Sequence, residues 1–201
     1  MSAETTRRSL FLGLAALPIA ALLPGAAAAL SVGQARELVD RVVGEINGVI
    51  NSGRSVNAMI ADFERIFARY ADVPVIARSV LGPAARTASA ADLAAYTEAF
   101  RGYMARKYGK RFREFAGARI EVTGAQAVRT YFEVVSVARL RGQSPFEVRW
   151  QVSDRSGREL FFNLIIEGVN MLAVERQEIG AMLDRRRGNL AAMTEDLRRA
   201  G

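Results

Sequence analysis

The sequence predicts an α+β domain, with a run of helices followed by an antiparallel sheet of about four strands. Three observations predict it. Apolar residues recur at helical spacing through the first half of the chain. The period changes to alternation from about residue 120. The strands then follow one another with only turn residues between them, the pattern of an antiparallel sheet with its apolar face covered by helices.

The first helix is announced by Ser31-Val32-Gly33-Gln34, a capping box in which Ser31 and Gln34 satisfy each other's backbone N–H groups. Leu38, Val39, Val42, Val43, Ile46, Val49 and Ile50 form its stripe, and Asn51-Ser52-Gly53 ends it. A second helix spans about Ser55 to Tyr70, with a stripe through Met59, Ile60, Phe63, Ile66, Phe67 and Tyr70. Asp72-Val73-Pro74 is a break. A short apolar helix, Val75 to Leu81, stops at Gly82-Pro83. Ser89 caps the longest helix, whose apolar positions run from Leu93 through Phe100, Met104, Tyr108 and Phe112 to Phe115, with Gly117 as its C-cap.

In the second half, Ile120 to Val122 reads as a strand and Thr130 to Arg141 as another. Phe146, Val148, Trp150 and Val152 alternate with polar residues, so this strand has one apolar face. Asp154-Arg155-Ser156-Gly157 is a hairpin loop, and Leu160 to Ile166 is the return strand. Helical turns from about Glu175 to Arg187 and a last helix from Leu190 to Arg199 complete the chain.

Residues 1–29 read as a cleaved export signal. Arg7-Arg8 before Leu10-Phe11-Leu12 is the twin-arginine pattern, although the general secretory route is an alternative. The apolar stretch from Leu10 to Leu23 is short for a membrane span, and Ala26 to Ala29 offer a cleavage site near Ala28 or Ala29. Residues 30–201 then form one domain outside the cytoplasm.

Composition narrows the chemistry. The chain has no cysteine and no histidine. A disulfide framework, Ser-His and Cys-His nucleophiles, and the usual zinc and haem ligand sets are therefore excluded. There is no GxGxxG and no P-loop. Asp154 and Glu167 are the carboxylates to weigh for catalysis, but neither has a histidine partner and turn-making explains Asp154. The net charge of +7 suits anionic headgroups or acidic partner surfaces, and is too weak to argue nucleic-acid binding. Arg101, Arg106, Lys107, Lys110, Arg111 and Arg113 form either a solvated helix face or an electrostatic docking surface, and Arg185-Arg186-Arg187 complements a helix C-terminus or serves the same docking. The large apolar side chains fill a core or line a cavity, and periodicity does not separate the two.

Particular segments resemble the MlaC family of periplasmic phospholipid-binding proteins, the toluene-tolerance auxiliary family. Ile76-Ala77-Arg78-Ser79-Val80-Leu81-Gly82 is similar to that family's apolar segment ending in Leu-Gly. Arg86-Thr87-Ala88-Ser89 matches its helix start. Phe100-Arg101-Gly102-Tyr103-Met104 and Lys107-Tyr108-Gly109 resemble its Phe-x-x-Tyr-Leu and Tyr-Gly run. Ile165-Ile166-Glu167-Gly168-Val169-Asn170-Met171 resembles its Glu-Gly-Val-Ser block. Ala84-Ala85, Asn163 and Asn170 depart from the family's usual residues.

The resemblance implies a curved sheet wrapped by helices, with an apolar lipid pocket between them. It implies a carrier of glycerophospholipids between outer and inner membranes, not an enzyme, with bound phospholipid as cargo and no cofactor. Implied partners are an outer-membrane lipoprotein complex and an inner-membrane ABC transporter with a ring-forming lipid-channel subunit; the carrier is expected to be a monomer in the periplasm, without nucleic acid. Strand parity together with the resemblance assigns Tyr131, Phe146, Val148, Trp150, Phe162, Leu164, Ile166 and Val169 to the sheet side of the pocket. Val80, Leu81, Phe100, Met104, Tyr108 and Phe112 are assigned to the helix side. The alternatives from other classes are a small α+β enzyme acting on an apolar substrate and a periplasmic adaptor whose groove binds a protein segment.

Overall fold

The structure is a computed structural model that describes residues 30–201. The expected export signal, residues 1–29, lies outside the described residues. Six α-helices surround one face of a five-stranded antiparallel sheet. In chain order they are α1 (Val32–Ile50), α2 (Val56–Tyr70), α3 (Val73–Leu81), α4 (Ala90–Gly109), β1 (Arg119–Val128), β2 (Tyr131–Arg139), β3 (Phe146–Ser153), β4 (Leu160–Ile166), β5 (Val169–Asn170), α5 (Met171–Arg185) and α6 (Leu190–Arg199). The sheet is a meander with spatial order β1-β2-β3-β4-β5.

The capping box forms at the start of α1, with the Gln34 N–H donating to Ser31 Oγ at 3.2 Å and the Ser31 N–H donating to Gln34 Oε1 at 2.9 Å. Ser55, Asp72, Ser89, Asn170 and Asn189 cap the other helices through their side chains. Asp72-Val73-Pro74, expected as a break, is the start of α3, because proline is tolerated in the first turn, where its missing N–H is not needed.

Three further boundaries and one added strand correct the sequence reading. The long helix does not run to Phe115. It stops at Gly109 and tightens into a 3-10 helix, Lys110–Phe115. Gly109 sits against α2, and a Cβ there would lie 2.8 Å from Ile60 Cα. The tighter winding repeats every three residues, which sets Phe112 and Phe115 on one side. Strand β1 is ten residues long, far beyond Ile120 to Val122. Its second half, Gly124-Ala125-Gln126-Ala127, has little intrinsic strand preference and is held by the ladder with β2, after a bulge between Val122 and Gly124. The sheet also has a fifth strand. Glu167 and Gly168, with φ of 50° and 80°, make a two-residue turn that pairs Ile166 with Val169 and Ile165 with Asn170. Helix α5 then begins at Met171, four residues before the expected start near Glu175.

The basic face of α4 is not a free surface. Arg106 donates to the carbonyls of Ala200 (2.8 Å) and Leu197 (2.6 Å). Lys107 bonds Glu175 at 2.8 Å and also bonds Glu178. Arg101 pairs with Glu64 and Glu98. Arg186, from the triple-arginine run, makes a bidentate pair with Asp196 of α6. Arg106 and Lys107 thereby fasten the C-terminal helices to α4, Arg101 ties α4 to α2, and Arg186 ties the end of α5 to α6. Asp154 acts at a distance as well as in its turn: its carboxylate accepts the N–H of Leu30 at 3.0 Å.

Candidate ligand-binding cavity

Between the inner face of the sheet and helices α1, α2 and α4 lies a cavity of about 540 Å³. Pairing fixes its sheet wall. Val148 stands opposite Ile166, and Trp150 stands opposite Leu164, so all four project to one face. Phe146, Val148 and Trp150 of β3 line the cavity with Leu164 and Ile166 of β4 and Val169 of β5. Met104 and Tyr108 of α4 and Phe112 of the 3-10 helix line the opposite side.

An arc of aromatic rings keeps the space open. Trp150 meets Phe161 edge-on at 5.4 Å between ring centroids, Phe161 meets Phe67 at 6.4 Å, and Phe67 stacks on Phe63 at 5.9 Å. Phe63 in turn contacts Phe112 at 5.3 Å and Tyr108 at 6.4 Å. Every one of these rings lines the cavity. Rings braced against one another from sheet to helices resist the inward collapse that would otherwise fill such a space.

The polar atoms on this wall are committed elsewhere. The indole N–H of Trp150 donates to Ser136 Oγ at 2.9 Å, and the Ser136 hydroxyl donates to the Val148 carbonyl at 3.3 Å. The Tyr108 hydroxyl donates to the buried carboxylate of Glu175 on α5, which also accepts from Lys107. Burial, reinforced by Glu175, pushes the Tyr108 phenol well above its ordinary range, so it stays protonated. Lys107 is pulled down by burial, but its hydrogen bonds to Glu175 and Glu178 prevail and hold it above the ordinary lysine value. The charged and amide side chains lining the cavity are Arg111, Glu114, Gln143 and Glu167, and all four are exposed, which places them at its mouth.

Nine of the residues assigned from sequence thus border this one space. Five do not, and each has a physical reason. Val80 and Leu81 are buried in the main core, where α3 packs against α5. Phe100 is fully buried between Tyr96 and Tyr103, at 5.9 and 6.3 Å. Tyr131 and Phe162 contact each other edge-on at 5.7 Å, outside the cavity lining. A bulge displaces Phe162: Gln151 pairs with Asn163, whereas Val152 pairs with Phe161. Simple alternation along β4 therefore fails after Leu164, and Phe161 takes the inward place expected of Phe162.

Residues of α1 and α2, such as Ile46, Ile50, Phe63 and Phe67, also line the cavity and were not assigned to it. Their helical stripes were legible, but the partner that each stripe faces was not. Glu167 lies at the mouth and in the β4–β5 turn.

The fold is shared with a solved structure. The phospholipid-binding protein from Ralstonia solanacearum, determined in complex with a phospholipid, superposes with a TM-score of 0.69 over 81% of this chain and 94% of that chain, at 14% sequence identity. A family model described as MlaC protein matches residues 36–199, almost the whole described domain. With that coverage, and with the same arrangement of helices over an open sheet, the chain belongs to the MlaC family.

Proposed function

We propose that this protein is a periplasmic phospholipid carrier, moving glycerophospholipids between the outer and inner membranes as the soluble component of an ABC-transporter pathway. The observation that carries the proposal is the cavity: an aromatic-braced apolar space with its wall polar atoms already bonded and its charges gathered at the mouth. Such a space favours acyl chains and leaves a headgroup in water. Two chains of roughly 15 methylenes, at about 0.8 kcal/mol for each buried methylene, cost on the order of 20 kcal/mol to expose. A carrier removes most of that penalty without covalent chemistry. Family membership and the phospholipid bound by the Ralstonia solanacearum protein support this reading.

The periplasmic address is proposed from the leader sequence, with residues 1–29 removed on export and residues 30–201 forming the lipid-binding domain. Partner proteins of the kind named for the family, a lipoprotein complex in the outer membrane and a ring-forming channel subunit at the inner membrane, would receive and supply the lipid.

The test is extraction of the purified domain followed by lipid mass spectrometry, together with uptake from labelled liposomes. Co-purified phospholipid and uptake are expected. A protein that holds no lipid and takes none up would sink the proposal, and capture of a protein segment without lipid would favour an adaptor.

A further inference from the structure

The mouth of the cavity has a charge pattern of its own. Arg111 is the single cationic side chain among the cavity-lining residues, which also include two carboxylates, Glu114 and Glu167. Arg111 and Glu114 are three residues apart on the 3-10 helix, and their contact is long, 3.4 Å from Nε to the carboxylate. Their side chains are 59% and 63% exposed, so the pair contributes little and gives way readily to a better partner. A guanidinium has five N–H donors in a planar fork, a match for a phosphate. Glu167 is placed differently. It occupies the left-handed position of the β4–β5 turn, with φ of 50°, beside Val169, the most exposed of the large apolar side chains among the described residues.

We propose that this rim selects phospholipids whose headgroup carries an ammonium beside the phosphate, with Arg111 taking the phosphate and Glu114 and Glu167 facing the ammonium. The inference rests on the carrier reading above and adds a headgroup class to it. One guanidinium against two carboxylates leaves the lining of the mouth with a net charge of −1. A headgroup of net charge −1, such as phosphoglycerol, adds to that excess. A zwitterionic headgroup such as phosphoethanolamine does not, and its amine meets the carboxylate that the phosphate displaces from Arg111. Because the rim is solvent-exposed, the preference is electrostatic and salt-sensitive.

The experiment is competitive uptake by the purified domain from vesicles containing equal amounts of phosphatidylethanolamine, phosphatidylglycerol and diacylglycerol of identical acyl chains. The wild type is expected to rank them in that order. Arg111→Gln is expected to narrow the advantage of either phospholipid over diacylglycerol by about tenfold. Replacing both carboxylates, Glu114→Gln with Glu167→Gln, is expected to invert the order of the two phospholipids, and high salt to flatten it. Arg113→Gln, exposed on the same 3-10 helix but outside the cavity lining, is the control and keeps the wild-type ranking. Uptake that is robust but indifferent to headgroup in every variant overturns this inference and leaves the carrier reading standing. Absence of all lipid uptake overturns both. Inorganic phosphate at millimolar concentration is expected not to compete; competition would assign the rim to a free anion and overturn the headgroup assignment.

Discussion

Trp150 and Ser136 are joined side chain to side chain, the indole N–H donating to the hydroxyl at 2.9 Å between neighbouring strands β3 and β2. Ser136 is fully buried, and Trp150 nearly so, on a wall that is otherwise apolar. The bond lets a large aromatic ring face the cavity without presenting an unsatisfied donor to it. Ser136→Ala leaves that N–H without a partner. The expected cost is about 1–3 kcal/mol in the free energy of urea unfolding, and an unchanged midpoint and slope would count against the assignment.

The bulge between β3 and β4 separates Leu164 from Phe162, alternate positions that simple parity treats alike. Val148 and Leu164 line the cavity, whereas Phe162 packs with Tyr131 outside it. Val148→Glu and Leu164→Arg are expected to reduce bound lipid more than they reduce stability. Phe162→Ser is expected to show the reverse order. Thermal denaturation alongside quantified lipid content separates the two behaviours, and parallel loss in all three variants would mean a filled core.

Gly109 marks the closest approach of α4 to α2. An added methyl group would meet the Ile60 backbone at 2.8 Å, and backbone has no rotamer with which to yield. Gly109→Ala is therefore expected to destabilise by about 1–3 kcal/mol through overpacking, despite alanine's better helix propensity. Urea unfolding that shows a gain in stability would contradict this contact.

Stability is expected to fall steeply on the alkaline side. Tyr96, Tyr103 and Tyr108 are all held above the ordinary phenol range, with burial the largest cause and Glu175 adding to each. Lys107 is also held high, as its bonds to Glu175 and Glu178 outweigh burial. Each raised value means that the folded chain binds a proton that the unfolded chain releases near pH 10. Their contribution is complete below that pH and is lost as pH climbs above it. Denaturation midpoints followed from pH 8 upward, with tyrosinate absorbance as a second probe, are the check. Tyrosine ionisation in the folded protein near pH 10, for all five tyrosines alike, would remove the argument.

Much of this fold can be read from local chemistry. The Ser31–Gln34 capping box, the stripe of α2 and the alternation of Phe146, Val148 and Trp150 each depend on a few neighbouring residues, and each appears where expected. The two-residue strand β5 leaves almost no periodic signal. The end of α4 is set by how closely Gly109 approaches Ile60, a contact across 49 positions of chain. The cavity follows the same division. Parity placed Val148, Trp150, Leu164 and Ile166 on one face, and it failed at Phe162 because a bulge changes the count between paired strands. Lys107 and Arg106 read as surface charges, since nothing near them in sequence shows that α5 and α6 return to cover them. Val80, Leu81 and Phe100 carry the family resemblance, yet they support the wall from behind rather than forming it.

The bulge in β4 has one more consequence. It acts as a change of reading frame within a single strand: Leu164 and Ile166 are read inward in one frame, and Phe161 in the other. Composition can drift within either frame, since many apolar residues suit an apolar cavity wall. The bulge is what lets both frames face the same way. In a strand of unbroken alternation, positions three apart such as Phe161 and Leu164 fall on opposite faces, so losing the bulge without losing a residue would turn either the ring or the aliphatic pair outward while the strand kept its hydropathy unchanged. The inward set of β4 is therefore fixed by its pairing with β3, not by hydropathy.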